Sequence, residues 1–125
     1  MTWSTEFYRK SNDDCPIVEW LDSLHDKHTA KVLRSMDLLE EFGPGIGMPH
    51  VENITENIRC LRTKQGSNIF RVLFFTLVDQ RLILLSGFTK KTPKTPPAEI
   101  ERAIGYRNDF LEQQKRKKEG SDGNE

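Results

Sequence analysis

Between Ile58 and Lys94 the chain carries eight cationic side chains: Arg59, Arg62, Lys64, Arg71, Arg81, Lys90, Lys91 and Lys94. The only acid there is Asp79, so the segment has a formal charge of +7. The whole chain sums to zero, so the remainder carries −7. The same stretch holds the longest apolar runs, IFRVLFFTLV and LILLSGF. A buried sheet with cations on its exposed positions is a surface for a polyanion, RNA foremost. RNA can be cut without a metal when the 2′-OH attacks the adjacent phosphate and the 5′-oxygen leaves. Such a site needs a group to take the 2′-OH proton, a group to protonate the leaving oxygen, and cations for the phosphorane charge.

Arg62 and Arg71 fall on consecutive strand-like runs and can converge on one phosphate. A guanidinium fork matches two phosphate oxygens and stays charged. Arg71 shares its strand face with Ile69, Leu73, Phe75 and Leu77, and an arginine so placed is rarely buried without a partner. The bland alternative is an arginine paired with an acid such as Glu6. Lys90 and Lys91 follow the last apolar strand. Set among other cations, a lysine is easier to deprotonate, which suits acid–base work or leaving-group stabilisation. Either can equally be a phosphate-holding or solvated lysine. Lys64 and Lys94 suit RNA or ribosome contacts through counterion release. Arg59 and Arg81 read as strand flanks.

Of three histidines, only His50 feeds the Arg62 strand, and it is the candidate base, or else a loop anchor. His25 and His28 have no further ligand nearby, so no zinc site is expected. Phe88 is either a ring for base stacking or ordinary core. Trp3, Phe7, Trp20 and Phe42 read as core, and Tyr106 has no clear face. No phosphate-cradling glycine loop, carboxylate pair or Ser/His/Asp arrangement stands out.

The elements that must position these residues follow from periodicity. Residues 2–9 alternate and suit a short strand. Asp14 or Cys15 caps a helix with Pro16 in its first turn, and Ile17, Trp20, Leu21 and Leu24 keep helical spacing. HDKH is a polar joint. A second helix is predicted from Thr29 to Phe42, with Val32, Leu33, Met36, Leu39 and Phe42 as its apolar stripe. Gly43 and Pro44 end it. PGIGMPHVENITEN reads as a loop. Three strands follow, at 58–64, 69–78 and 81–88, as an antiparallel meander with a tight Asp79-Gln80 turn. A last helix starts at Thr95-Pro96. From Lys115 no apolar residue remains, which predicts a frayed tail. The prediction is an α+β domain over 1–114, ordered β-α-α-β-β-β-α, with an antiparallel sheet packed against a helical hairpin and a C-terminal helix, and a charged tail at 115–125.

A chain of 125 residues supports a single core. No apolar run reaches the roughly 20 residues that span a bilayer, and MTWSTEFYRK has no secretory pattern. Cys15 and Cys60 form no CxxC pair, so reduced structural thiols and a cytoplasmic setting are expected.

Four stretches, LLEEFGPGIGMPHVENI, IRCLRTK, IFRVLFF and LLSGFTKKTPKTPPAEIERA, resemble in order the phage-derived RelE/HigB-like toxins of the RelE/ParE superfamily. The resemblance spans about residues 15–112. It implies a small α+β fold, a ribosome-associated mRNA endoribonuclease activity that blocks translation, no cofactor, and a neutralising antitoxin with a helix-turn-helix domain. Family members commonly read Glu-Leu-Arg where this chain has Cys60-Leu61-Arg62, so an acid that could pair with the cations is lost. Two other readings stay open: a related toxin that inhibits DNA gyrase by binding, and a member that retains only antitoxin binding.

Overall fold

The computed structural model describes residues 2–90 and 94–123, with side chains through Glu119. Its elements are β1 Ser4–Phe7, α1 Pro16–Asp22, α2 Asp26–Phe42, β2 Val51–Thr55, β3 Ile58–Gln65, β4 Asn68–Thr76, β5 Arg81–Lys90 and α3 Pro97–Gly123. A 3-10 turn, Pro44–Ile46, follows α2. The five strands form one sheet in the order β1-β5-β4-β3-β2. The fold is α+β, as expected, with one more strand than the sequence pattern predicts.

The additional strand is β2, inside the segment read as a loop. Its sequence, VENIT, has only two apolar residues, and it lies at the sheet edge, where one side needs no partner. Glu56-Asn57 connects it to β3, with Asn57 at φ 57° in the left-handed conformation that tight hairpins require. The sheet is also mixed. β2 to β5 form an antiparallel meander, but β1 pairs in parallel with β5. A parallel pair needs a crossover, and everything from α1 to β4 lies between the two strands in sequence. Arg81 donates to Glu6 across this pair at 2.5 Å and 3.1 Å. Glu6 is therefore taken by Arg81, not by Arg62 or Arg71.

Both sheet faces are covered. On one, Leu61, Phe70, Val72, Phe74, Leu82 and Leu84 pack with Ile17, Leu21, Val32, Met36 and Leu39 of the helical hairpin. On the other, Ile58, Cys60, Leu73, Phe75, Ile83 and Leu85 pack with Ala103 and Phe110 of α3. Trp3, Phe7 and Trp20 join the first core from its edge. Phe42 does not: at 58% exposure it lies past the end of the buried stripe, which is narrowed to Val32, Met36 and Leu39. Gly43 (φ 76°) ends α2, and its amide donates to the Leu39 carbonyl at 2.7 Å. α2 starts three residues before Thr29, because Asp26 supplies a favourable acid in the first turn. α3 continues as helix through residues 115–123, and the side chains of Lys115 to Glu119 are exposed there.

Candidate functional site

Two cross-strand rows carry the cations. The register sets Arg62 opposite Arg71, and Arg71 opposite Phe88. The next row on the same face is Lys64, Ile69 and Lys90. Strand geometry spaces the rows about 7 Å apart and puts the Lys64 and Lys90 backbones about 10 Å apart across β4.

A β-bulge makes this possible. Phe74 pairs with Leu84, but Leu73 pairs with Ser86, so β5 carries an extra residue at Leu85. Before the bulge, even-numbered Leu82 and Leu84 face the helical hairpin. After it, even-numbered Phe88 and Lys90 face the side of Arg62 and Arg71. Gly87 takes the hairpin side instead. A Cβ there would come within 2.1 Å of the Trp20 ring, so only glycine lets α1 approach β5 this closely.

Arg71 is 1% exposed, and its guanidinium lies 5.9 Å from the centre of the Phe88 ring. Burial holds that guanidinium below the usual arginine range; Arg62 adds to the effect, and Glu52 opposes it. Phe88 is itself only 8% exposed, its face occupied by Arg71. Arg62 is half-buried, and its Nε is buried without a hydrogen-bond acceptor among the described residues. Lys64 and Lys90 are exposed. Glu52 of β2 is the register partner of Cys60, and its charge acts on both Cys60 and Arg71. Sequence reasoning missed Glu52 because it missed β2. The Cys60 thiol is pushed up to about 12, chiefly by burial. Both cysteines are buried and unbridged.

The Arg62 amide donates to the His50 carbonyl at 2.8 Å, just beyond the Val51–Leu61 pair that opens the β2–β3 ladder. From here to Gln65 no β2 residue pairs with β3, and a groove of about 370 Å³ follows that free edge. His50, Arg62 and Lys64 line it together with Lys31 and Arg34 of α2. The two α2 cations occupy helix positions without apolar periodicity, which the sequence presents as a solvated face. Only the docking of α2 on β3, with Thr63 Oγ1 2.7 Å from Ser35 Oγ, reveals their proximity to Arg62.

Lys94 is exposed ahead of α3, and Lys91 lies outside the described residues. Arg59 is half-buried in β3, where it pairs with Asn53 and Phe74. His28 packs on Phe70 with ring centres 4.9 Å apart, on the hairpin face. Tyr106 stacks on Tyr8 at 4.9 Å. Among the described residues no group of three or more His, Cys, Asp or Glu side chains gathers as a metal site. No described helix is long and apolar enough to cross a membrane.

A five-stranded mixed sheet between a helical hairpin and a long C-terminal helix, with cations gathered at one sheet end, defines a small α+β protein. The chain belongs to the family described as phage derived protein Gp49-like (DUF891), a RelE-like toxin family whose model matches residues 19–107. The archaeal RelE-RelB complex from Pyrococcus horikoshii OT3 contains a chain with 21% identity and a TM-score of 0.47, aligned over 70% of this chain and 93% of that one. No match is found among curated proteins.

Proposed function

We propose that the protein is the toxin of a type II, HigB-like toxin–antitoxin pair and that it cleaves mRNA on the ribosome, in the cytoplasm. The observation that carries this reading is the pair of cation rows on one sheet face. Like charges directly opposite each other on neighbouring strands are destabilising. Arg62 opposite Arg71 therefore concentrates positive charge at one place on the sheet, which suits a bound phosphate.

In this reading Arg62 binds the scissile phosphate and stabilises the charge that develops on it. Arg71, buried on Phe88, is a positioning residue that directs the Arg62 guanidinium away from itself. The 2′-oxygen attacks phosphorus as its proton passes to a base, for which His50 is the candidate in the same groove. The P–O5′ bond breaks, and Lys90 gives a proton to the departing 5′-oxygen. The products are a 2′,3′-cyclic phosphate and a 5′-hydroxyl. Lys64, Lys94 and Lys91 hold flanking phosphates, and no metal or cofactor is required. A helix-turn-helix antitoxin neutralises the protein by laying an acidic or amphipathic segment over the same cations.

Primer extension on translated mRNA tests this. Wild-type protein should give discrete stops, and folded Arg62→Ala and Lys90→Ala variants should each cut about 10²–10³-fold more slowly. Unchanged stops in both variants would remove these residues from the site. Intact mRNA with DNA-damage signalling would favour gyrase inhibition, and normal growth without antitoxin would favour a binding-only member.

A further inference from the structure

The groove on the free edge of β3 reaches from the cation rows round to α2, so it touches both faces of the sheet. Its charged lining is Lys31, Arg34, Arg62 and Lys64, with His50 beside them and no acid. Among the described residues none of these four cations takes part in a salt bridge. Lys31 instead donates to the neutral amide oxygen of Gln65 at 2.6 Å. Four like charges around about 370 Å³ repel one another, and the described residues lining the groove supply no counter-charge. Leu38, Pro49 and Ile69 add an apolar lining. Free phosphate has no use for such a surface, whereas a ribose and base do.

We propose that this groove binds a second phosphate and its nucleoside from the substrate RNA strand, next to the scissile phosphate, with Lys31 and Arg34 as the binding residues. The proposal rests on the reading that the substrate is RNA. Arg62 belongs to both the rows and the groove, so it marks where the strand turns. From Lys90 the RNA passes Arg62, rounds the unpaired edge of β3, and continues along α2.

The test uses full-length protein and a short single-stranded RNA with 2′-deoxy substitutions that block cleavage. Affinity is followed by fluorescence anisotropy over a salt series. Lys31→Ala/Arg34→Ala should bind on the order of ten-fold more weakly at low salt, and its slope of log K against log salt should be shallower by about 1.4. Lys115→Ala/Lys118→Ala removes the same charge from the exposed end of α3 and should keep the wild-type slope. Thermal melts of both variants matching wild type confirm that folding is intact.

Wild-type affinity and slope in the α2 variant overturn the proposal, as does an equal loss in the α3 variant. Unchanged oligonucleotide binding with lost ribosome sedimentation also overturns it, because the groove would then take ribosomal RNA. A wild-type protein that neither binds nor cuts RNA defeats the functional reading itself. A wild-type protein that cuts RNA beside an indifferent α2 variant defeats only the groove.

Discussion

Arg71 and Cys60 show how burial sets the chemistry available to a side chain. Arg71 is enclosed over Phe88, so under the proposed function it acts on a phosphate only through Arg62. Cys60, its diagonal neighbour on β3, is 1% exposed, with its thiol pushed up to about 12 by burial. At neutral pH almost none of it is thiolate, and the thiolate is the reactive form. Cys60→Ser should therefore leave cleavage of translated mRNA within about two-fold of wild type, and iodoacetamide should label Cys60 only after denaturation. Rapid labelling of the native protein at pH 7, located by peptide mass, would contradict this. The serine hydroxyl is a near-isostere but prefers a hydrogen bond, so a stability loss of about 1 kcal/mol should accompany unchanged activity.

At the scale of elements, β5 decides where the site lies. It enters from a tight turn in which Gln80 adopts φ 66° and donates to the Leu77 carbonyl at 3.1 Å. The Leu85 bulge then exchanges its faces, and Gly87 admits Trp20 of α1. Gly87→Ala should lower stability by about 1–3 kcal/mol, the usual cost of overpacking a filled interior. Chemical denaturation read by tryptophan fluorescence checks this. Trp20→Phe in the same chain should recover part of the loss, because the smaller ring vacates space beside the new methyl. Strand alternation in the sequence already groups Arg71 with Ile69, Leu73 and Phe75. Lys90 could not be assigned a face in the same way, since one inserted residue reverses every position after it. β2 escaped notice because an edge strand of five residues carries little apolar pattern.

Across the whole molecule, the N-terminal strand is tied to the C-terminal helix. The Tyr8 hydroxyl donates to Asp109 at 2.5 Å, Gln113 donates to the same carboxylate at 2.7 Å, and Gln113 also donates to the Arg9 carbonyl at 3.0 Å. The hydrogen bond from Tyr8, supported by Gln113, holds the Asp109 carboxyl below the usual carboxylate range. Burial, with Asp109 beside it, raises the Tyr8 phenol above its ordinary value. A depressed carboxyl pKa contributes stability in full above the unfolded value of about 3.9 and loses it as pH falls through the folded one. A raised phenol pKa contributes stability below about 10 and loses it at higher pH. Tyr8→Phe should thus cost about 1–3 kcal/mol near pH 7. It should also flatten both the acid and the alkaline ends of the stability profile measured by thermal melting. A uniform offset across the pH range would show that the hydroxyl contributes only through packing.

The sequence by itself determined the α+β class, the hairpin of two short-loop helices, three central strands, and the concentration of positive charge on them. Those features are local: apolar periodicity, capping and turn residues, and counts of charge along a segment. Only the tertiary structure decided which cations meet. The bulge at Leu85 brought Lys90 to the face of Arg62, and the short β2 left the end of β3 unpaired. The docking of α2 then set Lys31 and Arg34 beside that open edge. Each of these three depends on register and packing between segments far apart in the chain, and none leaves a periodic signature within any one segment.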